Sequence, residues 1–166
     1  MDTAKTAPPG GGYAPISEDV VVTNRSGSAV AVGDVVQFDF NGTQSETTTQ
    51  LPYTAEGTSG YNNIVDPAAA EGVDGGAPIA VAVEAIADNA TGKVRLKGVV
   101  QAFCVGTLVK GTSKLVCTTA KNFDATTNVA GEAFWARPLE DATLGATRTL
   151  AWVEFDGTSP LGFQET

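Results

Sequence analysis

Among the 166 residues of this chain there is no histidine, the side chain whose proton exchanges near neutral pH. That excludes Ser–His and Cys–His nucleophile pairs and most zinc sites. Acid–base work would fall to paired carboxylates, and the adjacent pairs are Glu18/Asp19 and Glu140/Asp141. The first opens an expected strand and the second lies in an expected turn, where a carboxylate simply stands in water. Gly106-Thr107-Leu108-Val109-Lys110-Gly111-Thr112-Ser113 has the glycine spacing of a phosphate-binding loop. Thr112 replaces the required lysine, and the segment leads into a strand where a helix is needed, so it reads as a hairpin turn. No alternating-Asp calcium loop occurs. Cys104 and Cys117 both fall in expected strands and read as small buried apolar side chains, not a redox pair. No cofactor and no catalytic residue is expected.

The remaining candidates concern binding. Lys93, Arg95 and Lys97 alternate with Val94 and Leu96, so the three cations share one strand face. A solvated face is one reading; a patch that meets an acidic surface of another subunit is the sharper one. Trp135, Trp152, Tyr53 and Tyr61 would be the stacking platform of a carbohydrate-binding module. The two tryptophans are flanked by apolar strand residues, which favours core packing. The sequons at Asn24, Asn41 and Asn89 agree with surface turns.

The elements that would carry these residues are strands. Gly, Thr and Val are abundant and helix builders are sparse, with 19 glycines in the chain. Strands are expected at Asp19–Asn24, Val30–Phe40, Pro78–Ile86, Gly92–Val105, Leu115–Thr119, Glu132–Arg137 and Thr149–Phe155, with Pro138–Thr147 as a connection. Gly33-Asp34 reads as a tight turn and Gly98 as a bulge or bend. One short helix is expected at Asp66–Glu71. Residues 1–17 form a Pro/Gly/Ala-rich arm with Pro8, Pro9 and Tyr13, expected to order only against another subunit. Within a domain spanning residues 18–156, residues 41–76 read as a loop excursion, with Tyr53 and Tyr61 as partner anchors. Residues 157–166 read as a turn-like tail. The fold class is all-β, a small antiparallel barrel or sandwich.

A net charge of −9 repels phosphate backbones, so nucleic acid is not an expected partner. No apolar run approaches the roughly 20 residues of a membrane helix, and no secretory signal opens the chain. A soluble product made in the cytoplasm is expected, with no membrane partner.

Several blocks together resemble a known family. Val30-Ala31-Val32-Gly33-Asp34-Val35-Val36 resembles the opening strand of small bacteriophage capsid decoration (cement) proteins. Pro78–Ala82 followed by Gly92–Val100 resembles their next strand and hairpin, Val109–Leu115 their turn, and Ala133–Glu140 before Val153 their closing strand pair. The similarity runs from about Val20 to Phe155 but rests on short blocks. Phe134 departs from it, standing where a small residue is usual, as do the excursion and the arm. The resemblance implies a β-barrel-like subunit, commonly a homotrimer, on the outer surface of a phage capsid. There it would bind the major capsid protein and stabilise the shell by bridging neighbouring subunits. The family carries no catalytic residues. Another virion part, such as a head fibre base or a tail or adhesin domain, is the rival expectation.

Overall fold

The computed structural model describes residues 17–38, 63–65, 78–118, 120–125 and 133–163. These residues form eleven strands and no helix. In chain order they are β1 (Glu18–Asn24), β2 (Val35–Phe38), β3 (Asn63–Val65), β4 (Ile79–Ala82), β5 (Thr91–Leu108), β6 (Val116–Thr118), β7 (Asn122–Asp124), β8 (Ala133–Phe134), β9 (Ala136–Pro138), β10 (Ala142–Asp156) and β11 (Gly162–Phe163). Nine belong to one mostly antiparallel sheet, and β8 and β11 form a separate two-stranded ribbon.

The 18-residue β5 organises the sheet. Arg95 has Asp19 of β1 as its partner on one edge and Val81 of β4 on the other. From Lys97 to Leu108 the second edge belongs to β10, while β7 runs parallel beside Cys104 and Val105. The change of neighbours falls at Gly98, whose φ of +107° is open to glycine at little cost. The expected bend is therefore present, and the β1 register slips next to it, between Glu18 and Asp19.

Pairing runs β1–β3–β2–β4–β5 and returns to β1, although the sheet as a whole does not close into a barrel. Within this path sits one core, made of Val22, Val30, Val36, Phe38, Ala80, Ala82, Ile86 and Val94. A second core lies beyond it, with Val35, Ile79 and Val81 packed among Leu108, Leu115, Phe123, Trp135, Val153 and Phe155. Since side chains alternate along a strand, β2 and β4 give odd-numbered residues to one core and even-numbered residues to the other. Both strands are buried throughout. This explains the uninterrupted apolar run Ile79-Ala80-Val81-Ala82, a pattern of strands covered on both faces.

Turns fix the register. The Asn24 side chain is fully buried, donating from Nδ2 to the carbonyls of Ser28, Ile86 and Ala87, and accepting at Oδ1 from the Ser26 N–H. It ties the Asn24–Ser28 turn to the 86–89 turn across the sheet. Gly33-Asp34 forms the expected tight turn, closed by the Asp34 N–H on the Ala31 carbonyl at 3.1 Å.

Three expectations are corrected. Pro138–Thr147 is not only a connection, because strand β10 begins at Ala142. Beyond the half-buried Ala142 and Leu144, its outer stretch is exposed and mostly small or polar, so only a short hydrophobic alternation marks it. The 41–76 stretch contributes a strand, Asn63–Val65, which pairs with both β1 and β2. The 157–166 tail contributes β11 and a buried Gly157, whose N–H donates to the Leu96 carbonyl while its own carbonyl accepts from Ile79 N–H. The expected helix at Asp66–Glu71 and the arm apart from Ser17 lie outside the described residues.

Candidate functional site

The expected cationic face of β5 is flanked by β1, whose antiparallel register sets Asp19 opposite Arg95 and Glu18 opposite Lys97. Arg95 grips both Asp19 oxygens, at 2.7 and 3.1 Å, and donates a third bond to the Val99 carbonyl. Lys97 meets Glu18 at 3.2 Å. The hydrogen bond from Arg95 holds the Asp19 carboxyl below the usual aspartate range, against a smaller opposing effect of burial. Lys93 is exposed. The surface is therefore a ladder of mixed charge and not a uniformly positive patch. Pro8, Pro9, Tyr13, Tyr53 and Tyr61 lie outside the described residues.

The groups that could do chemistry are held in structural roles. Cys104 and Cys117 each pair with Phe123 of β7, from opposite sides, so they stand two strands apart and beyond disulfide reach. Burial pushes both thiols up to about 12, with the charge of Glu140 adding to the effect at Cys104. A thiol so protonated is a poor nucleophile. Glu140 accepts the Trp152 N–H and Asp141 accepts the Lys110 N–H, each at 2.8 Å. Residues 109–113 form a turn, closed by Thr112 and Ser113 on the Val109 carbonyl. Among the described residues no three His, Cys, Asp or Glu side chains are grouped to hold a metal ion. Trp135 is wholly buried and cannot stack a sugar, and Trp152 is half-buried.

Sequence reasoning missed a clamp built around Asp34. Its carboxylate is almost fully buried, accepts the Ala31 N–H at 2.8 Å and pairs with Arg148 of β10. The Arg148 guanidinium lies 4.1 Å above the Phe103 ring centroid and also donates to the Lys121 carbonyl. A bulge in β10 makes this reach possible: between Gly145 and Thr149 three residues lie opposite the single Val105. The bulge borders an open groove of about 550 Å³ lined by Val105, Thr118, Asn122, Asp124, Ala146 and Arg148. Exposed Val32 and Leu150 stand beside the clamp. Gly33-Asp34 was legible as a turn, but no local signal connects Asp34 with a residue 114 positions away.

The assembly these features define is an all-β module that presents charged ladders, a clamped turn and a shallow groove. No protein-family model matches the chain, and no curated protein matches it. Among solved structures, it is similar to the N base of the head fibre gp8.5 in bacteriophage phi29. The TM-score is 0.51 at 16% sequence identity, over 87% of this chain and 99% of that one. At that identity the likeness is one of fold.

Proposed function

We propose that this chain is a structural component of a bacteriophage virion, carried on the outside of the head through protein–protein contacts and performing no reaction. The observation that carries this reading is the fold likeness to a head fibre base, which spans 99% of that chain. The residue chemistry agrees with it. The chain has no histidine, its cysteines are buried as thiols, and the adjacent carboxylates at 140–141 serve backbone N–H groups. A net charge of −9 also suits a particle surface that has to stay dispersed.

Within that class, the fold likeness favours a mount of the head-fibre-base kind. A cement role is the second reading, favoured by the Val30–Val36 block and the others that resemble decoration proteins. A cement subunit binds the assembled lattice in preference to free shell protein, and so stabilises the shell by mass action. In either case the partner is the major capsid protein, the subunit is a homotrimer, and Lys93 together with the arm is a contact candidate.

The test is to incubate the purified protein with phage heads that lack it and measure co-sedimentation. Saturable association in a fixed ratio to the shell protein is the expected result. A ratio equal to the lattice repeat, with a raised temperature of head rupture, selects the cement role. A lower ratio with unchanged rupture selects a fibre mount. Failure to associate, or turnover of a small molecule by the pure protein, overturns the proposal.

A further inference from the structure

A second cationic site lies across β10 from β5, with Arg137 level with Val99 through Glu154, and the physics there differs from that of the β1 ladder. Leu115 and Ala136 exchange backbone hydrogen bonds, Leu115 N–H to Ala136 carbonyl at 3.0 Å and the reverse at 3.4 Å. That antiparallel bridge sets Lys114 opposite Arg137, one step along, where facing side chains approach most closely. Like charges placed so are destabilising. Both cations also lie over one aromatic ring, with Lys114 Nζ 5.5 Å and the Arg137 guanidinium carbon 5.6 Å from the Phe134 centroid. The ring face offsets part of the repulsion, since cation–π attraction is modest at exposed sites.

No carboxylate among the described residues lies within ion-pair distance of either cation. Arg95, Lys97 and Arg148, in contrast, each have one. Glu154 is the cross-strand neighbour of Arg137 without forming an ion pair. Glu140 and Asp141 are taken up by the N–H groups of Trp152 and Lys110. In a chain with 19 acidic and 10 basic residues, two facing cations without a counter-charge among the described residues stand out. Their floor is rigid: Phe134 is 4% exposed, and Gly162 lies so close that a Cβ there would come within 2.8 Å of the ring. Exposed Leu161 donates its N–H to the Phe134 carbonyl, and exposed Val109 opens the turn that holds Gly111 against Pro138.

We propose that Lys114 and Arg137, seated over Phe134, are an anchor for a carboxylate side chain on an acidic segment of a partner protein, with Leu161 and Val109 as apolar flanks. The arrangement fits that chemistry. Arg binds a carboxylate with two parallel bonds, Lys adds a point charge, and a polar anchor beside apolar area is the usual make-up of a protein contact. A nucleic acid fits less well, because a long phosphate chain would run against the net charge of −9. The proposal rests on the reading that the chain attaches to other proteins, and it names the partner chemistry.

The experiment is an NMR titration of the full chain with a hexaglutamate peptide. Saturable shifts are expected at Phe134, Gly162 and Lys114, weakening as salt is added. Lys114→Gln with Arg137→Gln should weaken binding about tenfold or more, as two charge-assisted bonds are lost. Lys114→Arg with Arg137→Lys should retain binding, and Lys93→Gln should leave it unchanged. Because both side chains are exposed, the Gln variant should fold and melt no lower than the parent. Absence of binding, or equal binding by the Gln variant, overturns the proposal. So does a single-stranded oligonucleotide of equal charge that binds more tightly, which would make this a phosphate site. Self-association removed by the Gln variant, without peptide binding, would assign the face to a second copy and also overturn it. Peptide binding that appears only after Glu165→Gln would assign the face to the chain's own carboxylate, with the same result. If the wild type associates with heads while the peptide fails to bind, this inference falls and the proposed function stands. Heads that never bind the wild type remove the function itself.

Discussion

The two cores on either side of the β2–β4 wall are built on different principles. Among the described residues the smaller, within the β1–β3–β2–β4–β5 path, has none larger than Phe38 and includes two alanines among eight buried residues. The larger has sixteen described buried residues, with Trp135, Phe123, Phe155, Leu108 and Leu115 fully buried among them. Stabilisation by burial grows with the apolar area removed from water, so the larger core can rely on area. The smaller relies on polar devices at its rim: the four bonds of Asn24, the Arg95–Asp19 pair and the Val30–Ile86 bridge. Where a core is too small to define its own register, buried hydrogen bonds define it.

The two cores can be perturbed jointly or one at a time. Gly157 joins the two regions by bonding to Leu96 and Ile79, and a Cβ there would strike the Ile79 carbonyl and come within 2.8 Å of the Leu96 carbonyl. Gly157→Ala should therefore cost more than about 4 kcal/mol in chemical denaturation, because backbone has to move on both sides. Leu108→Ala in the larger core should cost about 3 to 4 kcal/mol, and Ile86→Ala in the smaller about 2 to 3. Hydrogen exchange sharpens this pair: Ile86→Ala should expose the amides of β1 and β4 while β10 stays protected. Equal loss in β10 would mean that the two cores open as one unit. Asn24→Ala should cost about 1 to 3 kcal/mol, since three carbonyls and one N–H lose their partner.

The smallest effect is expected at Asp19→Asn, well under about 1 kcal/mol, because the ion pair is partly exposed. Its pH dependence carries the information. The folded chain holds the Asp19 proton less tightly than the unfolded chain does, so the contribution is complete above the ordinary aspartate range. It fades as pH falls through the lowered folded value. The stability difference between wild type and variant should thus be flat at neutral pH and disappear in strong acid. A difference that persists in acid would show that the pair acts through packing and not charge.

Much of this fold was legible because β structure writes itself with period two. The alternation around Val94 and Leu96 located β5, and Ala151, Val153 and Phe155 located the inner half of β10. Gly98 was readable as a bend because glycine is the residue that tolerates its φ. The outer half of β10 was not legible, since Thr143, Gly145, Ala146 and Thr147 are exposed and leave Leu144 as an isolated apolar mark. At the candidate surfaces, sequence showed which cations share a face but not which carboxylates meet them. The opposition of Glu18 to Lys97 and of Asp34 to Arg148 depends on register and on a bulge, both set by long-range pairing. The facing of Lys114 and Arg137 has the same origin.

Strands β5 and β10 also have a mechanical consequence. They oppose each other in unbroken antiparallel register from Lys97–Asp156 to Cys104–Thr149, where the β10 bulge begins. Tension applied along their common axis, in opposite senses, would strain all these rungs together, so that none could yield before its neighbours. Tension applied across them would instead open the ladder one rung at a time. The module is accordingly stiff in one direction and easily unzipped in the other, and the direction from which a tether pulls decides which of the two it meets.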